Sequence, residues 1–335
     1  MNVVGIETNV GSMLYPFQEK GHNIVAATDS RRITKAADFN ANFPNSRWFD
    51  EVSDLIDYIK EIDIKVDVVM AQPSCSKFSN MSRKDKCDYA GYDNIFKSIA
   101  ILDPDYFFIE SKMGFINEIV KIPGYRYQVE WVSNWGYGNT QKHRNRLWVI
   151  GVKENINWQF IPNEKEHHIT VESIINDLPD YDVVELEHTH IHKPFYKNSI
   201  TKERYTLDEE FEQLKKTGKL NYIASDGTVK NRIGRKILSR VDAPTIIGTN
   251  RPYHYDKKYP ITVREMARIQ GFPDEFTFKY MPITRKLKAI GKSVPLQFVR
   301  EIVNQLEGNQ PERPSRLLPV PIEIYNFNQN FNKNH

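Results

Sequence analysis

Cys75 stands in the run Ala71-Gln72-Pro73-Ser74-Cys75-Ser76-Lys77-Phe78-Ser79, directly after the apolar stretch Asp67-Val68-Val69-Met70. A short β-branched run closed by proline reads as a buried strand, with the thiol following at once on a loop. Open α/β sheets bind ligands beyond the carboxyl ends of their strands, so a thiol there is placed to act as a nucleophile. The same residue also fits a buried, inert cysteine, a common fate for this side chain. Acids recur at other expected strand ends, namely Asp29, Asp50 and Glu110. Each alone reads as an exposed carboxylate. Together with Cys75 they point to one crevice, with the acid ending the second strand placed for ribose hydroxyls. A further group is Gln141-Lys142-His143-Arg144-Asn145-Arg146. Arginines alternating along a strand share a face, so Arg144 and Arg146 either grip one substrate or line a solvated edge.

The elements that must position these groups alternate. Strands are expected at residues 3–8, 23–28, 66–70, 106–109, 128–132 and 146–152, and helices at 14–20, 52–62 and 94–102. That alternation predicts an α/β fold built on a doubly wound, mostly parallel sheet. The pattern breaks near Glu154, and residues 155 to about 250 are more polar and irregular, with a Lys/Glu-rich helix at 207–216. This stretch reads as a second, smaller domain. Amphipathic helices return at Val263–Gln270 and Phe298–Leu306. Thr262 is a candidate N-cap, Glu265 completes a capping box, and Gly271-Phe272-Pro273 stops the first of these helices. In Ala289-Ile290-Gly291-Lys292-Ser293-Val294-Pro295, a glycine before a helix would allow a ligand to come close. The tail from Gly308, with four prolines and then an Asn-rich end, reads as extended.

Composition narrows the classes. With 335 residues and 40% hydrophobic content, one large or two ordinary domains can bury a core. No apolar run approaches the ~20 residues of a membrane span, and the first residues have no basic region ahead of an apolar one, so no secretion signal is expected. Cys75 and Cys87 are the two cysteines. They cannot build a disulfide framework or a four-cysteine zinc site, and a reducing cytosol is the simplest setting. The net charge of +3 neither demands nor excludes nucleic acid.

Taken in order, these motifs resemble those of the cytosine-C5 DNA methyltransferases across residues 1–305. That family shows Phe-x-Gly-x-Gly-Gly, Pro-Pro-Cys-Gln, Glu-Asn-Val, Gln-x-Arg-x-Arg, an Arg-Glu-x-Ala-Arg-x-Gln-x-Phe-Pro helix and Gly-Asn-Ser-Val-Pro. The run Arg264-Glu265-Met266-Ala267-Arg268-Ile269-Gln270-Gly271-Phe272-Pro273 matches almost letter for letter. The resemblance implies a Rossmann-like, S-adenosylmethionine-dependent catalytic domain over residues 1–154 and about 262–310. It implies a target recognition domain over about 155–261, and leaves 311–335 as an extended tail.

The resemblance further implies that Cys75 adds to C6 of a flipped cytosine, with Glu110 hydrogen-bonded to the base and Arg144 and Arg146 supporting the site. Donor contacts would fall on Gly11, Asp29, Asp50, Pro73, Lys292, Ser293 and Val294. DNA contacts would fall on Ser79, Lys84, Arg235 and Thr245, with Lys77 to Lys86 as a closing loop. Arg264 and Glu265 would support the domain junction structurally. The implied partner is double-stranded DNA, met by a monomer without metal or membrane in the cytoplasm of a bacterial or phage-infected cell, either within restriction-modification or in a phage. A catalytically silent DNA-binding relative and an RNA cytosine-C5 methyltransferase are the alternatives.

Several positions depart from the family pattern. Glu7, Asn9 and Ser12 stand where Phe, Gly and Gly are usual, Ser74 and Ser76 flank the cysteine, and Ser111 follows Glu110. Lys292 replaces the asparagine of Gly-Asn-Ser-Val-Pro. An ammonium facing a sulfonium cation ~4–6 Å away costs on the order of 1 kcal/mol or more. A donor whose transferred carbon bears a carboxylate would turn that repulsion into an ion pair. This gives two expectations for the donor: S-adenosylmethionine with Lys292 reaching to DNA phosphate, or carboxy-S-adenosylmethionine yielding 5-carboxymethylcytosine.

Overall fold

The structure, a computed structural model, describes residues 1–31, 33–74, 91–164, 169–178, 196–197, 204–205, 207–218, 221–223, 228–231, 236–248 and 251–311. Cys75, Ser79, Lys84, Arg235, the 77–86 segment and the tail beyond Pro311 lie outside these residues. The chain divides into two compact units. One comprises Met1–Ser133, Asn145–Lys165 and Phe298–His335, the other Asn134–Arg144 and Glu166–Gln297.

The first unit is a seven-stranded sheet. Its strands are β1 (Asn2–Ile6), β2 (Asn23–Thr28), β3 (Arg47–Phe49), β4 (Val68–Ala71), β5 (Tyr106–Ser111), β6 (Tyr125–Ser133) and β7 (Asn145–Lys153). The order is β3-β2-β1-β4-β5-β7-β6, with the first five parallel and β7 antiparallel to both β5 and β6. The chain reverses its winding between β1 and β4, the switch point where sheets of this class open a crevice. Helices α1 (Tyr15–Glu19), α2 (Ala36–Asn40), α3 (Val52–Glu61) and α4 (Gly91–Leu102) connect the strands, and α9 (Leu296–Leu306) returns to them. Leu55, Ile56 and Ile59 of α3 and Ile95, Phe96 and Ile99 of α4 pack with Val4, Ile6, Val69, Ala71, Phe107 and Ile109 of the sheet. Val68, Met70, Phe108 and Trp148, on the alternate positions, are buried as well. Burial on both faces explains why these strands read as continuous apolar runs. Helix α2 has no counterpart in the sequence reading, and β3 figures there only through Asp50 as a strand-end acid, both being too short to show a period.

The second unit holds α5 (Val171–Ile175), α6 (Leu207–Thr217), α7 (Val263–Gln270) and α8 (Ile283–Lys292), with the two-residue pair β8 (Tyr196–Lys197) and β9 (Arg204–Tyr205) and the ribbon β10 (Asn221–Ile223) with β11 (Val229–Asn231). Helix α7 packs against α5 and α8. Its ends follow the sequence signals. Thr262 Oγ1 accepts from the Glu265 amide at 3.1 Å, Glu265 accepts from the Thr262 amide at 2.6 Å, and Gly271 closes the helix at φ 91°.

The glycine of Gly291-Lys292-Ser293 requires a correction. It lies inside α8, and its close approach is to protein backbone. A Cβ at Gly291 would sit 2.2 Å from the Gly248 amide nitrogen, and one at Gly248 would sit 2.5 Å from the Lys288 Cα. The two glycines let the helix and the 243–248 segment touch, a contact between positions 43 residues apart that no local pattern announces.

Candidate active site

Parallel pairing places the carboxyl ends of β3, β2, β1, β4 and β5 along one edge of the sheet. There the chain sets Asp50, Asp29, Glu7, Gln72 and Glu110 in a row. Strand β7 adds the sixth member. Because β7 runs antiparallel to β5, its start lies at the end of β5, with Glu110 opposite Trp148 and Ser111 opposite Leu147. Arg146 is two residues from Trp148 and so projects from the same face, diagonal to Glu110. Its Nε reaches Glu110 Oε1 at 2.9 Å. Glu110 Oε2 accepts from the Gln72 side-chain amide at 3.1 Å. Glu110 is 3% exposed and Gln72 6%. A carboxylate this deep needs a partner charge and a hydrogen bond; Arg146 supplies the first and Gln72 the second, while Oε1 has no hydrogen-bond partner among the described residues.

Toward β2, Asp29 is fully buried and its Oδ1 accepts from Arg31 Nε at 2.5 Å. The Arg31 Nε also lies 3.3 Å from Glu7 Oε2, and its Nη2 donates to the Glu7 carbonyl. Burial pushes the Glu7 carboxyl above its usual value, against the opposing pull of Ser30 and Arg31. Asp29 Oδ2 and Thr8 Oγ1 are buried without a hydrogen-bond partner among the described residues. Asn9 adopts φ 54°, and Gly11 follows at φ 87°. Asparagine tolerates this left-handed region better than most residues, so the turn keeps its course where the family has glycine. The space beside the Gly11 Cα is taken by the Phe43 ring, 2.5 Å from where a Cβ would be. Asp50 is exposed and accepts from Trp48 Nε1 at 3.1 Å, while Pro73 is buried beyond β4.

Arg144 requires a second correction. It precedes β7, does not alternate with Arg146 along it, and belongs to the second unit. Its guanidinium is 1% exposed and donates to the carbonyls of Ile246 at 3.2 Å and Ser293 at 2.6 Å. Gln270 donates to the same Ser293 carbonyl at 2.9 Å and to Ile290 O at 2.7 Å. Gln141, fully buried, bonds Gln270 through its amide and accepts from the Ile246 amide at 2.7 Å. The residues of three quoted motifs thus meet in one polar network that ties 141–144, 246, 270 and 290–293 together. Ser293 spends its hydroxyl on Ala289 O at 2.8 Å, Val294 is buried, Thr245 is half-buried, and Lys292 ends α8 exposed. Arg264 is 1% exposed and donates to Pro273 O and Phe276 O, each at 3.0 Å.

Sequence reading missed Gln72, Gln141, Gln270 and Arg31. The two network glutamines stand within quoted motifs, but nothing in their type distinguishes a buried clamp from a surface amide. Among the described residues no group of three His, Cys, Asp or Glu could hold a metal ion, and no helix is long and apolar enough to cross a membrane.

Comparison with known proteins places this arrangement. The family model described as C-5 cytosine-specific DNA methylase matches residues 1–308. The chain is 25% identical over 329 residues to the type II methyltransferase M.NgoPII of Neisseria gonorrhoeae, covering 90% of this chain and 94% of that protein. It is 22% identical to the type II methyltransferase M.MthTI of Methanothermobacter thermautotrophicus, covering 92% and 97%. Among solved structures, an Escherichia coli prophage-encoded protein described as a DNA modification methyltransferase superposes with a TM-score of 0.67 at 20% identity, over 92% of this chain and 99% of that one. A DNMT2 mutant of Spodoptera frugiperda superposes with a TM-score of 0.61 at 14% identity, over 91% and 99%. These two structural likenesses carry the fold.

Proposed function

The chain belongs to the C-5 cytosine-specific DNA methylase family, and from that premise we propose that it methylates C5 of a cytosine flipped out of double-stranded DNA, through a covalent bond from Cys75. The observation that carries the reading is Glu110, buried at the end of β5 and pinned by Arg146 at 2.9 Å. The Cys75 thiolate adds to C6 while Glu110, entering this step as the protonated acid, passes its proton to N3, so the ring electrons have a place to go. C5 becomes an enamine carbon and takes the alkyl group, whose bond to the donor's sulfonium sulfur would break to leave a neutral thioether, and N3 returns its proton to Glu110. The C5 proton is then lost to base, the electron pair returns to the ring, and the C6–sulfur bond breaks to release the thiolate.

S-adenosylmethionine, when bound, supplies the methyl group as an electrophile. The partnerless buried oxygens of Asp29 and Thr8 fit a ligand rich in hydroxyl donors. Asp29 would hold its ribose, with Gly11, Asp50, Pro73, Ser293 and Val294 as further contacts. Ser79, Lys84, Arg235 and Thr245 would meet DNA, and residues of about 155–261 would choose the sequence. We assign the enzyme to a monomer in the cytoplasm.

A finer reading rests on Lys292, where the family motif has asparagine. The ammonium would favour a donor carrying a carboxylate on the transferred carbon, and the product would be 5-carboxymethylcytosine. One experiment tests both readings: nucleoside mass analysis of duplex DNA and of tRNA incubated with S-adenosylmethionine or carboxy-S-adenosylmethionine. Product from duplex DNA in the wild type and none from Cys75→Ser is expected. Product from Cys75→Ser would overturn the covalent route. Product from tRNA alone would make this an RNA enzyme, and no product from either would make it a silent DNA binder. Exclusive 5-methylcytosine, unaltered by Lys292→Asn, would end the carboxymethyl reading.

A further inference from the structure

Glu110 is held at both oxygens by residues from two different strands' ends, and one of those residues leads directly to the nucleophile. We propose that Gln72 is a positioning residue that fixes the plane of the Glu110 carboxyl group. The inference rests on Glu110 being the carboxyl that contacts cytosine.

The geometry argues as follows. The last torsion of a glutamate is broad and roughly two-fold, so a single contact does not set the carboxyl plane. Arg146 Nε provides one contact, to Oε1 at 2.9 Å. The Gln72 amide provides the second, to Oε2 at 3.1 Å. Since a carboxylate only accepts, the NH₂ of Gln72 is the end that faces it. The Arg146 contact is an ion pair without a hydrogen bond, since Oε1 has no hydrogen-bond partner among the described residues, so the directional bond from Gln72 is what completes the definition of the plane. Gln72 is itself anchored, because its backbone amide donates to Ile6 O at 3.1 Å and extends the β1–β4 ladder one residue past Ala71. The neighbouring pair Ala71–Ile109 sets Gln72 beside Glu110 in register. Three residues further on stands Cys75. The Glu110 carboxyl group is therefore referred to one rigid strand end, and misplacements of about 1 Å in such constellations can cost 10²-fold in rate.

The test is steady-state methylation of duplex DNA by the full-length chain carrying Gln72→Leu or Gln72→Glu, over a range of pH. Gln72→Leu keeps the bulk and loses the donor. Its kcat should fall about 10- to 100-fold, with S-adenosylmethionine affinity by calorimetry unchanged. Gln72→Glu is isosteric, and two carboxyl groups at the distance of the present amide contact cannot both ionise, so they share a proton. Its kcat should recover toward wild type as pH falls and collapse as pH rises, a signature that loss of packing would not produce. Should Gln72→Leu fail to fold, the isosteric variant alone decides. Both variants within twofold of wild-type kcat at every pH, while Glu110→Gln is inactive, would overturn the role of Gln72. Full activity in Glu110→Gln would instead overturn the assignment beneath it.

Discussion

Arg144 and Arg146 are two residues apart in sequence, yet they belong to different compact units and do opposite work. Arg146 reaches a carboxylate at 2.9 Å, with 14% of its side chain exposed. Arg144 reaches two backbone carbonyls and is 1% exposed. A guanidinium facing a carboxylate at the edge of the sheet can tune and aim that group. A guanidinium that donates to two backbone carbonyls holds chain segments together. Two equal charges in one hexapeptide thus meet a carboxylate in one case and backbone carbonyls in the other, and the partner, not the residue type, makes the difference.

The largest effects are expected at these two arginines. Arg146→Met leaves Glu110 without its cation and should lower kcat on the order of 10²- to 10⁴-fold, the range of a general acid–base group. Arg144→Met should instead leave kcat per folded molecule within a few-fold and lower unfolding stability by about 3 kcal/mol, since hydrogen bonds from charged donors contribute about 1.5–3 kcal/mol each. Rate assays paired with urea titrations check both. An Arg144→Met enzyme of full stability and no activity would show the division of labour to be wrong.

Smaller in size is the effect at the glycine pair that supports the same clamp. Gly291→Ala drives a methyl into the Gly248 backbone, 2.2 Å from its nitrogen. Overpacking of this kind costs about 1–3 kcal/mol. The thermal midpoint should drop while donor affinity per folded molecule holds. A stable Gly291→Ala variant with weakened donor binding would restore the ligand-approach reading of that glycine.

The smallest effect concerns Glu7. Burial raises this carboxyl above its usual 4.5, so the folded chain binds the proton more tightly than the unfolded chain does. The contribution to stability is fully present below pH 4.5 and is lost as pH rises through the raised value. In the interval just above pH 4.5, Glu7→Gln should therefore remove a downward component from the curve of Tm against pH. Coincident slopes for the two proteins would mean that Arg31 and Ser30 already offset the burial.

Much of the fold was legible because its signals are local. Asn23–Thr28 and Val263–Gln270 form the elements expected over the same residues, and Thr262, Glu265 and Gly271 cap the latter as their types dictate. Arg47–Phe49 was signalled only by Asp50 at its end and given no bounds, because three residues carry no period and their pairing with β2 is a non-local event. Gln72 was passed over because an amide after a strand has no distinguishing sign until its partner is known.

The residues alone determined the alternation of strands and helices, the acids at the strand ends and the caps of α7, since each depends on neighbours within a few positions. Only the tertiary structure decided that Arg146 meets Glu110 while Arg144 does not. The antiparallel insertion of β7 brings its first residues to the last residues of β5, 36 positions earlier, and because β7 begins at Asn145 it carries Arg146 to the carboxyl and leaves Arg144 outside the strand.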